Sequence, residues 1–177
     1  MMVDPLGRMQ ARQQRQQRER LAREGMEITV VDDSDYVGWL ASATRIDEIH
    51  MTNVESMVNN VVKRANSQGA KIRRLNVLDH GNDSGIEIGE DWITVSTLPQ
   101  FTPHLGRLKG HFHSSGFTHF QHCNVGSNHE LLKKLSSILG VPVYAGTGKH
   151  NPVYRFNFGQ YDRCIPSGKC EADVGRP

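Results

Sequence analysis

Six stretches of this chain alternate between two hydrophobic rhythms, and that alternation limits the possible folds more than any other feature. "EITVVDD" (27–33), "KIRRLNVLDHG" (71–81), "FTHFQHC" (117–123) and "VPVYAGTG" (141–148) are short, apolar and rich in β-branched or aromatic residues, as buried strands are. Between them, Val54, Met57, Val58, Val61, Val62 and Ala65 recur at helical spacing, and so do Leu131, Leu132, Leu135, Ile138 and Leu139. "TNVE" (Thr52, Glu55) and "SNHE" (Ser127, Glu130) read as capping boxes that open these helices, and Gly69 and Gly140 stop them. Strand and helix in alternation predict an α/β fold, a three-layer sandwich around a mainly parallel sheet.

The intervening segments complete this plan. "GIEIGEDWITV" (85–95) is two apolar runs around Gly89-Glu90, which predicts a β-hairpin insertion. Residues 96–116 carry Pro99, Pro103, Gly106, Gly110 and Gly116, and predict a long loop with one short helical turn. "VYRFNFGQYDRC" (153–164) closes the domain as one or two strands, while residues 36–51 show neither rhythm.

Charge and length set the domain boundary. The chain has 177 residues and a net charge of +2. Residues 1–24 hold six arginines against Asp4, Glu19 and Glu24, a balance of +3 that leaves −1 for the rest. The body is therefore not a basic nucleic-acid surface. Residues 1–25 read as a flexible, solvated Gln/Arg-rich leader, helical by propensity but with almost no apolar stripe. Residues 26–177 read as one domain, long enough to bury a core unaided. No apolar run reaches the roughly 18 residues of a membrane span. The N-terminus has no secretory signal, so the expected locations are the cytoplasm or delivery into a target cell by another route.

Parallel sheets place their sites beyond the carboxyl ends of the strands. His80 and Cys123 each fall at the end of a predicted strand, where an ordinary core residue has no reason to be. An imidazole beside a thiol can take its proton or stabilise the thiolate, which is the nucleophile. Gly81 leaves its backbone N–H open to approach, and with the Cys123 N–H it can form an oxyanion hole. The helix opening near Ser127 adds partial positive charge. The competing reading of the pair is a buried structural thiol and a turn histidine.

Two further groups invite chemistry. Cys164 and Cys170 flank the turn-like "IPSG" and either bridge in an oxidising compartment or stay as thiols. "HFHSSGFTHFQHC" brings His111, His113, His119 and His122 close to Cys123, with His104 nearby, and His-x-His can hold zinc. Against a metal, strand parity turns His122 away from His119 and Cys123, and no Asp or Glu stands at a metallohydrolase spacing. The expectation is no metal and no cofactor.

"DHG" with "GIEIG" after it, and "HCNVG" at the end of a later strand, resemble the caspase-like (clan CD) cysteine peptidases. They are similar to the caspase-like domain of large bacterial adhesins and to the self-cleaving protease domains of RTX-type toxins. The resemblance covers about residues 70–148. It implies a caspase-like fold, a catalytic dyad of His80 and Cys123, and an oxyanion hole at Gly81 and Cys123. Asp79 stands where that group often has Ser, and His122 where a small residue is common. It further implies a substrate pocket lined by "DDSD" (Asp32, Asp33, Asp35) and "AGTG" (Ala145 to Gly148), with Asp33 and Gly146 as the substrate-binding residues. Carboxylates there favour Arg or Lys at the cleaved residue.

"VDPLGR" (3–8) resembles the end of Rhs-type toxin cores. That resemblance implies a secreted effector's C-terminal toxin module. The expected partners are a protein substrate and a cognate immunity protein, with neither nucleic acid nor membrane. The expected activity is that of a cysteine endopeptidase. The alternatives are a thiol-dependent deamidase or acyl transferase on the same dyad, and an inactive caspase-like module that only binds.

Overall fold

The computed structural model describes residues 5–32 and 48–177. The Gln/Arg-rich segment is helix α1 (Pro5–Glu24), exposed along almost its whole length, with Leu21 alone among its described side chains packed on the core. The domain follows with strands β1 (Met26–Val31) and β2 (Ile49–His50), helix α2 (Val54–Gln68), and strand β3 (Ile72–Leu78). Next come the hairpin strands β4 (Gly85–Ile88) and β5 (Asp91–Thr94), helix α3 (Leu98–Leu105), and strand β6 (Phe112–Gln121). Helix α4 (His129–Leu139) and strand β7 (Val143–Gly146) complete the parallel part. The short strands β8 (His150–Asn151), β9 (Phe156–Asn157), β10 (Tyr161–Cys164) and β11 (Cys170–Glu171) end the chain.

Seven strands form one sheet in the order β11-β10-β7-β6-β3-β1-β2. The five from β2 to β7 are parallel, and β10 and β11 add antiparallel. The fold is a mixed α/β sandwich on a mostly parallel sheet, as the alternation requires. From β2 to β3, β6 and β7 the chain advances in one direction. Right-handed crossovers then put every connecting helix on the same face. Buried residues of α2, α3 and α4 accordingly join one apolar cluster with Ile28, Val30, Leu75, Val77, Phe120 and Val143. The described helices thus make one layer on the sheet, and the expected second helical layer has no counterpart among the described residues. Among those residues no helix is long and apolar enough to cross a membrane.

The other sheet face is buried and largely polar, apart from Val31 and Leu78, which pack together. Thr29, Asn76, His119 and Gln121 are all less than a tenth exposed. They are partly satisfied across strands: Asn76 Nδ2 donates to Glu27 Oε1 and Thr29 Oγ1, and Gln121 Nε2 donates to Asn76 Oδ1, while His119 Nε2 and Gln121 Oε1 have no partner among the described residues. A buried polar group without such partners costs about 1–3 kcal/mol.

Several local expectations change by a residue or more. The cap of α2 is Asn53, boxed with Ser56, and not Thr52 with Glu55. The cap of α4 is Asn128, whose side chain accepts the Leu131 N–H, and not Ser127. In both places Asn sits one position nearer the helix; at α2 it is also a stronger capping residue than the Thr it displaces, whereas at α4 Ser127 is its equal by type. Gly69 and Gly140 do end their helices, each in the left-handed region. The hairpin turns at Gly89-Glu90 as expected. Residues 96–116 are more ordered than a loop: Pro99 sits in the first turn of α3, a 3-10 turn spans Gly106–His111, and β6 begins five residues early at Phe112. Leu98, Leu105 and Leu108 are buried there, and that burial holds a helix containing Pro103. Each fully buried leucine contributes about 1.5–3 kcal/mol.

Candidate active site

The β3–β6 register brings the two candidate residues to matching positions. Leu78 and Gln121 pair as the last residues of adjacent parallel strands. His80 and Cys123 each lie two residues beyond, so neither is the final strand residue that the sequence suggested. His80 is exposed and Cys123, a free thiol, is half-buried.

Asp79 shapes the turn that carries His80. Its Oδ1 accepts the His80 N–H and its Oδ2 accepts the Gly89 N–H of the hairpin, each at 2.8 Å. Burial pushes its carboxyl up to about 6, helped by Asp32 and Glu87 and opposed by the two N–H donors. The hairpin also closes on the turn directly: Glu87 N–H donates to His80 O, and Asn82 N–H to Gly85 O. These bonds flank the bridge between Gly81 and Ile86, and so do not use the Gly81 N–H. Gly81 packs tightly against the cysteine strand. A Cβ there would stand 2.8 Å from the Cβ of His122 and 3.3 Å from the carbonyl oxygen of Cys123.

His122 is fully buried. Its Nε2 lies 2.8 Å from Glu87 O, and a carbonyl only accepts, so Nε2 carries the proton. Burial drives its pKa down to about 3, with the nearby His150 and His80 adding to the effect. It is a neutral structural histidine that joins β6 to the hairpin. His119 is likewise buried and lowered well below the ordinary value, chiefly by burial and then by Arg74.

Cys123 is held from the β7 side. The His150 N–H points at Cys123 Sγ, 3.3 Å away, and the Asn124 N–H donates to Gly148 O at 2.8 Å. Asn124 takes a left-handed conformation, φ 60°, which turns the chain sharply after the cysteine. The Asn128 side chain, besides capping α4, donates to Asp83 O at 2.9 Å and ties that helix to the histidine turn. Burial, with Arg176 behind it, lowers the pKa of His150 to about 4.

The remaining expected site residues are scattered. Asp33 and Asp35 lie outside the described residues, and Asp32 is buried after the end of β1. Gly146 ends β7, and the space a side chain would take there is filled by Asn157, whose Cγ would be 2.1 Å from a Cβ. Of the histidine cluster, His113 bonds Ser115 and the Arg23 carbonyl at the far end of β6 from Cys123. Among the described residues no three His, Cys, Asp or Glu converge on a metal position. Cys164 and Cys170 form a disulfide between the paired strands β10 and β11. A surface groove of about 400 Å³ runs between α3 and α4, lined by Leu98, Pro99, Lys134 and Ile138 among others. It shares no residue with the His80–Cys123 rim.

Residues 28–150 match the family model described as a domain of unknown function (DUF4347). The chain belongs to this family. The DUF4347 match runs from β1 to β8 and takes in Asp79, His80, Gly81, Cys123 and His150. Helix α1, Asn157 and the disulfide lie outside it. No curated protein matches the chain.

Sequence reasoning marked Asp79 only as a departure beside His80, and missed His150 and Asn128 as parts of this DUF4347 rim. The rule that took His80 and Cys123 from the strand ends applies equally to the loop after β7, and it points to His150.

Proposed function

We propose that this domain is a cysteine endopeptidase acting through His80 and Cys123. The observation that carries the reading is their placement at equal distances beyond two paired parallel strands, with the sulfur half-buried and met by a backbone N–H. In this mechanism Cys123 Sγ attacks the scissile carbonyl carbon and a C–S bond forms. His80 takes the thiol proton and passes it to the departing amine nitrogen as the C–N bond breaks. Water then hydrolyses the thioester, releasing the carboxylate product and returning the thiol. The N–H groups of Gly81 and Cys123 are the donors for the oxyanion, and the close packing of Gly81 on the cysteine turn supports that role. The acids near the rim, Asp32 and Glu87 among the described residues, suit a basic residue at the cleaved position. The reaction needs no cofactor.

The test is covalent labelling with a peptidyl acyloxymethyl ketone. Folded wild type is labelled at Cys123, Cys123→Ala is not labelled, and His80→Ala is labelled at least 100-fold more slowly. A folded wild type that takes no label, and cleaves no peptide from a diverse library, rejects the peptidase and leaves a binding module. Release of ammonia from glutamine without peptide cleavage gives the deamidase instead.

The biological setting we favour is a toxin module delivered into another cell, with a protein substrate and an immunity protein as its partners. The Rhs-like "VDPLGR" motivates this, and its Pro5–Arg8 portion opens α1. The disulfide suits a stay in an oxidising compartment. Growth arrest on expression of wild type, absent with Cys123→Ala and His80→Ala, is the expected result. Unimpaired growth with all three removes the toxin reading.

A further inference from the structure

We infer that Asn157 is a positioning residue for Cys123, acting through the loop from Gly146 to His150. The inference rests on the reading of Cys123 as the nucleophile, and adds to it a residue outside the stretch that matches the family.

The loop grips the cysteine turn at two points. Gly148 O accepts the N–H of Asn124, the residue after the cysteine, and the His150 N–H meets the sulfur itself. Nothing in a five-residue loop holding two glycines fixes those two contacts from within. From outside, Thr147 bonds Gln160 and the Phe158 N–H donates to Lys149 O, but Gly148 itself is fixed by Asn157. Its Oδ1 accepts the N–H of Gly148 at 2.9 Å and of Gly159 at 2.8 Å, and its Nδ2 donates to Gly148 O at 2.7 Å. One side-chain amide thus uses both its ends on Gly148, the residue that also receives Asn124.

The fit is close and rigid. Asn157 is buried, and its amide occupies the space over Gly146 that any side chain there would need. Its own N–H donates to the Tyr161 hydroxyl at 2.7 Å, which ties β9 to β10. In the β8–β9 ladder Asn157 is the direct register partner of His150. Holding Asn157 therefore sets where the His150 N–H points. An N–H aimed at sulfur confines the side chain to one direction and favours the negative charge that develops as the thiol gives up its proton.

Two variants test this without any peptidase assay. Asn157→Ala removes all three side-chain bonds. Asn157→Asp keeps the acceptors but places an oxygen against Gly148 O, and is nearly the same size. Iodoacetamide alkylation of Cys123 at pH 7.5 should slow by about tenfold in each. Circular dichroism and the urea midpoint of each variant establish that it is folded before rates are compared, because unfolding would expose the thiol but also remove what favours its thiolate. In wild type the backbone amide resonance of His150 should move when Cys123 is replaced by Ser, and in the Asn157 variants that response should disappear. Wild-type alkylation rates in folded Asn157→Asp, with the His150 response intact, overturn the inference. Slowed alkylation in a protein that cleaves no peptide keeps the positioning role and removes only the peptidase.

Discussion

Asp79 accepts the backbone N–H of His80 at 2.8 Å, so the candidate acid-base residue is held by a carboxylate immediately before it in the chain. The same side chain holds Gly89 of the hairpin, and its pKa is raised from 3.8 to about 6, first by burial. Between about pH 4 and 6 the native state therefore keeps a proton that the unfolded chain has lost. Stability from this group falls as pH rises through that window and is level above it. Asp79→Asn keeps one acceptor and no charge. It should cost about 1 kcal/mol at pH 4, and the deficit should shrink or reverse by pH 7.5, by at most about 3 kcal/mol. Urea unfolding of both proteins at the two pH values measures this, and a difference that does not change with pH refutes it.

Gly81→Ala tests the contact between the two turns. A Cβ there would come 2.8 Å from the His122 Cβ, and His122 is packed on all sides and bonded to Glu87. Neither turn can yield without moving His80 or Cys123. The expected result is a stability loss of about 1–3 kcal/mol and labelling of Cys123 slowed at least tenfold. Labelling at the wild-type rate would mean that Gly81 has no part in placing the reacting groups.

The disulfide should matter for stability and not for chemistry. Cys164 and Cys170 close a small loop between β10 and β11, far along the sheet order from β3. A loop of about seven residues stabilises by about 2 kcal/mol in the chain-entropy account. Cys164→Ala/Cys170→Ala should lose about that much in urea unfolding while alkylation of Cys123 keeps its rate. An unchanged urea midpoint would show that the short strands hold without the bridge.

The strands and helices that carry the rim were legible because burial writes itself into composition. Val30, Val77, Val143 and the leucines of α4 could go nowhere but a core. Helix α3 was hidden because Pro99 and Pro103 signal a loop by local rule, and only the burial of Leu98 and Leu105 overrides them. The caps were misread by one residue because Thr52 with Glu55 and Ser127 with Glu130 fit the capping-box pattern, whereas Asn53 and Asn128 cap with no Glu three residues on. The candidates His80 and Cys123 could be picked from strand ends alone, two residues off. The Asn157 clamp could not, because it consists of hydrogen bonds to the backbone of a loop nine residues upstream, and backbone partners leave no mark on residue type.

Acid should unfold this domain early. Burial lowers His122 to about 3 and His150 to about 4, both from 6.5, and holds His119 well below its ordinary value. As pH falls below about 6.5 the unfolded chain binds protons at these three positions that the native state refuses, and stability drops until the folded pKa values are reached. Asp79 acts in the opposite sense between about pH 6 and 4, offsetting one of the three. A single such histidine contributes a slope of up to about 1.4 kcal/mol per pH unit. His150→Gln removes one of the titrating histidines and leaves the backbone N–H that meets Cys123. Its stability should change less between pH 6.5 and 4.5 than that of wild type, by about half to all of that slope. Equal slopes in urea unfolding series would show that His150 titrates alike in the folded and unfolded chain.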